Sequence, residues 1–111
     1  ESYCNLGLIF YDLSKFKEAE ENYKKSISLN QNLAEAYCNY GLLLQDLGKM
    51  NEAENFYNQA IKIKPNYYEV FNNLGNLLSD LNRLDEAINS YKNSFIRPNK
   101  CNKKICFSHC I

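Results

Sequence analysis

Residues 37–65 read YCNYGLLLQDLGKMNEAENFYNQAIKIKP, and their spacing decides the fold. Tyr37, Tyr40, Gly41 and Leu44 stand at i, i+3, i+4 and i+7, one apolar face of a helix expected from about Ala34 to Leu47. A second helix follows, with Met50, Ala53, Tyr57, Ala60 and Ile61 on its inner face and Pro65 as its stop. A glycine within a helix costs roughly 1 kcal/mol relative to alanine, so Gly41 implies a close helix approach. Ala53 and Ala60 fit the same need, and the aromatics fill the space beside them.

The same residues return every 34 positions. Gly7, Gly41 and Gly75 keep that step, as do Ala19, Ala53 and Ala87, then Tyr23, Tyr57 and Tyr91, then Leu13, Leu47 and Leu81. Tyr3, Tyr37 and Phe71 repeat the leading aromatic, and Ser14, Gly48 and Asn82 mark the turn inside each unit. A helix–turn–helix unit cannot bury its apolar face alone, so such units must stack, and three are about the minimum. Apolar surface is expected at both ends of the stack. The chain opens Glu1-Ser2-Tyr3 already inside the periodic segment, as expected of a piece of a longer array.

Composition narrows the function. The 111 residues suit one small domain, with 45% hydrophobic residues, 23% charged and a formal net charge of zero. Binding to nucleic acid through bulk charge is not expected. No run of about 18 apolar residues exists and no charged n-region precedes an apolar stretch, so neither membrane insertion nor secretion is expected, and the chain reads as cytoplasmic or nuclear.

The units carry a family resemblance. The pattern W/Y-x2-L-G-x2-Y, then Ala, F/Y, Ala and Pro, falls on Tyr37, Tyr40, Gly41, Leu44, Ala53, Tyr57, Ala60 and Pro65, and resembles the tetratricopeptide repeat (TPR). Ser26 and Ser94 replace the second alanine, Gln31 replaces the proline, and Pro98 arrives one residue early. The resemblance implies an all-α solenoid over residues 1–98, three helix–turn–helix repeats (about 1–32, 33–66 and 67–98) in a right-handed superhelix. It also implies a protein-interaction module that holds an extended peptide or partner protein in a concave groove lined by the first helices.

On that reading the groove carries three ladders. Glu1, Glu35 and Glu69 form its leading edge, Asn5, Asn39 and Asn73 its middle, and Asp12, Asp46 and Asp80 its trailing edge, with Leu8, Leu42 and Asn76 between. An asparagine amide can pair with both N–H and C=O of an extended backbone without reading side chains. The row is similar to the asparagine ladder of O-linked N-acetylglucosamine transferases, so a substrate-recruiting arm of a modifying enzyme is one alternative, and a structural spacer another. A structural role is open too: Asn32-x-x-Glu35 and Asn66-x-x-Glu69 fit a capping box, and the ladder asparagines could bond the neighbouring unit's first helix. The positions at which a related subclass clamps chaperone C-terminal tails hold Cys4, Glu69 and Asn73, none basic, so that ligand is not expected. Residues 1–96 hold 9 Lys and Arg against 13 Asp and Glu, and Lys24, Lys25, Lys62, Lys64 and Lys92 fall on second helices. A basic or hydroxyl-rich segment is the expected ligand.

Residues 99–111 match no unit and are expected to form a basic, disordered tail. Cys101, Cys106, His109 and Cys110 could ligate zinc, but their gaps match no common structural site, and Ser108 stands where a prenylation box needs cysteine. No metal or cofactor is expected. Cys4 and Cys38 read as small packing or groove residues, and all five cysteines as reduced thiols. The only histidine is His109, no glycine-rich phosphate loop exists, and no catalytic activity is expected.

Overall fold

A computed structural model describes residues 2–94. Glu1, Pro98, the tail and its four zinc-ligand candidates lie outside the described residues. Within them the chain is an α-solenoid of six helices: α1 (Tyr3–Asp12), α2 (Phe16–Leu29), α3 (Ala34–Asp46), α4 (Met50–Ile63), α5 (Tyr68–Asp80) and α6 (Leu84–Lys92). They pair as hairpins, α1 with α2, α3 with α4 and α5 with α6. Each second helix also packs on the first helix of the next hairpin, α2 on α3 and α4 on α5.

The three hairpin turns are one structure made three times. Ser14, Gly48 and Asn82 all take positive φ, at 61°, 82° and 62°. In the first turn the Ser14 N–H donates to Tyr11 O at 2.9 Å and the Lys15 N–H to Phe10 O at 2.8 Å; Gly48 with Lys49 and Asn82 with Arg83 repeat both bonds. This is a Schellman closure, which satisfies the last carbonyls of the first helix and needs one left-handed residue. A left-handed conformation costs an L-residue about 1–2 kcal/mol, partly offset because glycine loses more entropy on folding. Ser14→Gly should therefore stabilise the protein by about 0.5–1 kcal/mol, raising Tm by roughly 2–8 °C in thermal denaturation. A lower Tm would show that the Ser14 side chain contributes more than its backbone strain costs.

Helix starts differ from the expected capping boxes. Ser2 caps α1, its Oγ accepting from the Asn5 N–H at 3.2 Å. For α3 and α5 the cap positions are Leu33 and Tyr67, with no side-chain cap bond, so Asn32 and Asn66 stand one residue too early. Burial set this register: Tyr67 is fully buried and Leu33 packs against the core, and each enters it at the residue before its helix. Glu35 and Glu69 remain in the first turn, where the helix dipole favours a carboxylate.

The close approach implied by the glycines is a contact with an aromatic ring. A Cβ on Gly7 would lie 2.6 Å from Tyr23 ring carbons, on Gly41 2.9 Å from those of Tyr57, and on Gly75 2.7 Å from a Tyr91 ring carbon. In every repeat ring carbons of the tyrosine sixteen residues on lie against the bare backbone of the first helix. Ala19, Ala53 and Ala87, all buried, let the second helix come that near. Between repeats, the Tyr40 hydroxyl of α3 donates to Glu20 of α2 at 2.8 Å, and Arg83 donates two bonds to Glu54 of α4 at 2.8 and 3.0 Å. Arg83 also bonds Glu86, whose carboxyl its guanidinium holds below the usual range.

Candidate functional site

The residues expected in the groove separate into two groups. Asp12, Asp46 and Asp80, each at the end of a first helix, are exposed. Asn5, Asn76, Glu35 and Glu69 are half-buried. Asn39 and Asn73 are 1% exposed and so is Leu42, which corrects the expectation that these three face an open groove. First helices of neighbouring repeats touch, α1 with α3 and α3 with α5, and the asparagines sit on that side. The Asn39 amide nitrogen reaches Cys4 Sγ at 3.7 Å, and that of Asn73 reaches Cys38 Sγ at 3.9 Å. Each therefore meets the first helix of the preceding repeat, the structural role that the sequence had left open. Cys4 and Cys38 are disulfide-bonded, so the expectation of reduced thiols is not met for these two.

At the trailing edge a polar cleft of about 410 Å³ opens between the second and third repeats. Asp46 and Asp80 line it, one from α3 and one from α5, and the residues just before them, Gln45 and Ser79, line it too. Asn76, Tyr91 and Met50 complete the wall. Most of the polar lining is already oriented. The Tyr57 hydroxyl donates to Gln45 Oε1 at 2.8 Å, the Tyr91 hydroxyl donates to Asn76 Oδ1, and the Tyr11 hydroxyl of the first repeat donates to Asp46. Second-helix tyrosines thus pack with their rings and hold groove residues with their hydroxyls.

Electrostatics follow from that arrangement. Burial raises the Tyr57 hydroxyl well above the usual tyrosine pKa, with the charge of Asp46 next in weight. Tyr11 is raised by burial and then by its bond to Asp46. At the leading edge Tyr67 is raised by burial and by Glu35 and Glu69, and its buried hydroxyl has no hydrogen-bond partner among the described residues. Both edges of the first-helix row are negative. The sequence reading found the carboxylates of the cleft and missed Gln45, Ser79, Met50 and Tyr91. Gln45 and Ser79 share one position of the 34-residue period with Tyr11, immediately before each ladder aspartate, and that was the available signal.

Among the described residues no helix is long and apolar enough to cross a membrane. No curated protein sequence shows significant similarity to the chain. Among solved structures, the crystal structure of MamA is 26% identical with a TM-score of 0.79, over 82% of this chain and 53% of that one. The second TPR of Spaghetti (RPAP3), bound to the HSP90 peptide SRMEEVD, is also 26% identical with a TM-score of 0.79, over 83% of this chain and 85% of that one. The chain thus spans about half the length of MamA and most of the Spaghetti domain. The profile described as tetratricopeptide repeat matches residues 1–66 and again 34–95, covering all three hairpins. With the periodic glycine–tyrosine contacts, these matches place the chain in the tetratricopeptide repeat family.

Proposed function

We propose that the protein is an interaction module that holds an extended peptide along the row of first helices and seats a basic side chain of it between Asp46 and Asp80. The observation that carries this reading is the trailing-edge cleft, in which two exposed carboxylates from successive repeats stand with oriented amides and hydroxyls. A lysine or arginine there would gain charge-assisted hydrogen bonds at the carboxylates, and Gln45, Asn76 and Ser79 can pair with a peptide backbone. Asp12, Asn5, Glu35 and Glu69 extend the polar surface to either side, and Asn39 and Asn73 form its floor. The Spaghetti domain supports peptide capture on this fold. Its ligand, SRMEEVD, ends in acidic residues, and the carboxylates of this cleft would repel such a tail. Peptide capture is also what a substrate-recruiting arm of a modifying enzyme would need, so that alternative shares the same site.

The test uses extended peptides carrying a central lysine or arginine, with an acidic-tailed peptide as control, measured by fluorescence anisotropy. Replacing both carboxylates, Asp46→Asn with Asp80→Asn, should weaken binding of the basic peptides roughly 10- to 100-fold, the worth of one or two charge-assisted bonds. Far-UV circular dichroism should not change, since both side chains are exposed. Affinity should also fall as salt rises. Equal affinity of the double variant, or preference for the acidic peptide, would sink the proposal.

A further inference from the structure

A smaller pocket, of about 310 Å³, opens on the middle repeat, lined by Tyr37 near the start of α3 and by Asn55, Phe56 and Gln59 of α4. It shares no residue with the cleft that holds Asp46 and Asp80. The Tyr37 and Phe56 rings are 6.0 Å apart between centroids and inclined at 31°. The buried Tyr40 stands 4.5 Å from Phe56, centroid to centroid, and anchors this aromatic wall to the core. Asn55 and Gln59, both exposed, add two amides, and no charged side chain lines the pocket.

The first repeat shows what such a place holds. Its residues at the same four positions are Tyr3, Glu21, Asn22 and Lys25, and there the Lys25 ammonium sits over the Tyr3 ring, 5.3 Å from the centroid. Lys64 over Tyr67, at 4.5 Å, is the same chemistry elsewhere in the chain. The middle repeat has Gln59 in place of Lys25 and Phe56 in place of Asn22, so it gives up its own cation and gains a second ring. Among the described residues no cation lies over Tyr37 or Phe56. In the third repeat the four are Phe71, Asn89, Ser90 and Asn93, with one ring only.

We propose that this pocket binds an arginine side chain of a protein partner, its guanidinium resting on the Tyr37 and Phe56 rings as Lys25 rests on Tyr3. A cation within about 6 Å of an aromatic centroid is attracted by the negative face of the ring. Guanidinium suits the pocket better than ammonium on two grounds. It is planar and more weakly hydrated, so it stacks on a ring at a smaller cost in solvation. Its N–H fork also needs acceptors, and the carbonyl oxygens of the Asn55 and Gln59 amides supply them while their NH2 groups stay in water. A trimethylated lysine would bring the charge without a donor and leave both amides unpaired. Glu52, one turn before Phe56, and Lys62, one turn after Gln59, are of opposite sign, so selection rests on the rings and amides and not on net charge. The site stands whether or not the trailing-edge cleft takes a basic side chain, because the two have no residue in common.

Nα-acetyl-arginine amide titrated into the full chain at constant ionic strength should give saturable shifts of the Asn55 and Gln59 side-chain amide signals in heteronuclear NMR. The amide signals of Gln45 and Asn76 report the cleft in the same spectra. Asp46→Asn with Asp80→Asn should leave the Asn55 and Gln59 response unchanged, which keeps failure of the cleft apart from failure of this site. Gln59→Lys brings in the residue of the first repeat at an exposed helix position, so far-UV circular dichroism should stay as in the parent. With an ammonium of its own over Tyr37, that variant should bind the arginine amide, read at Asn55, roughly 5- to 30-fold more weakly. The citrulline amide, which keeps the shape and loses the charge, should give no saturable shift, and the lysine and trimethyl-lysine amides should bind more weakly than arginine. Shifts that do not saturate, an equal response to citrulline, or a Gln59→Lys variant that binds arginine as the parent does would overturn the proposal. Lysine or trimethyl-lysine binding as tightly as arginine would overturn it too, since the guanidinium would then not be what the pocket selects.

Discussion

Raising the pH through the ordinary tyrosine range should unfold this protein steeply. Tyr23, Tyr57 and Tyr67 are each no more than 1% exposed, and all three are held above the usual tyrosine pKa. Burial is the largest cause in each; the charge of Asp12 adds to it at Tyr23, and those of Glu35 and Glu69 at Tyr67. The fold therefore favours the neutral phenol. Below pH about 10 the folded and unfolded chains both keep these protons, and the full stability is present. Above it the unfolded chain releases protons that the folded chain retains, so stability falls by about 1.4 kcal/mol per group per pH unit. Three such groups give about 4 kcal/mol per unit, and a domain of ordinary stability, about 5–15 kcal/mol, would unfold within one to a few units. Far-UV circular dichroism and tyrosinate absorbance should change together in one transition. Tyr57→Phe should cost about 1 kcal/mol at neutral pH through the lost bond to Gln45, yet give a shallower alkaline slope. Tyrosinate absorbance that rises fully near pH 10 while the helices persist would refute the argument.

The tyrosines also show why the fold could be read from the sequence. Each repeat solves one packing problem, a flat ring against a bare helix backbone, and only a narrow set of residues solves it. Glycine and tyrosine consequently recur sixteen residues apart, three times. The turn is equally constrained, since one left-handed residue is needed, and Ser14, Gly48 and Asn82 mark it at the same step. Helix starts were less legible because two signals compete there. Asn32 and Asn66 offered caps, but burying Leu33 and Tyr67 determined where the helices begin, and core burial outweighs a cap of about 1 kcal/mol.

The candidate site was legible in its charges and not in its depth. Spacing on a helix gives the direction of a side chain, which sufficed for Asp12, Asp46 and Asp80 at the helix ends, where no neighbour covers them. Asn39 and Asn73 point toward the same side but lie one turn and more further in, where adjacent first helices close on each other. No pattern within one repeat reports that distance. It depends on Cys4 and Cys38, small residues that let Asn39 and Asn73 approach the preceding helix. The oxidation state of those cysteines was likewise a local property, set by what the fold brings beside them.

The glycine–tyrosine contact gives the last prediction and the largest from single substitutions. A Cβ on Gly41 would lie 2.9 Å from two Tyr57 ring carbons and 3.3 Å from the Ala53 carbonyl oxygen. Tyr57 is 0% exposed and its hydroxyl is tied to Gln45, so the ring has no direction in which to give way. Gly41→Ala gains about 1 kcal/mol of helix propensity against an overpacking cost of about 1–3 kcal/mol, a modest net loss. Gly41→Val forfeits most of that propensity and adds two more methyl groups, for a loss of about 3 kcal/mol. Tyr57→Ala empties the space instead and should cost about 3–5 kcal/mol. If the ring alone makes glycine necessary, the two losses cannot add. The valine would occupy part of the cavity left by the ring, and Gly41→Val with Tyr57→Ala should be no less stable in urea than Tyr57→Ala alone, a coupling of about 3 kcal/mol. Additive losses would instead mean that Gly41 serves the helix backbone, and that the recurrence of glycine and tyrosine at one spacing reflects two separate requirements.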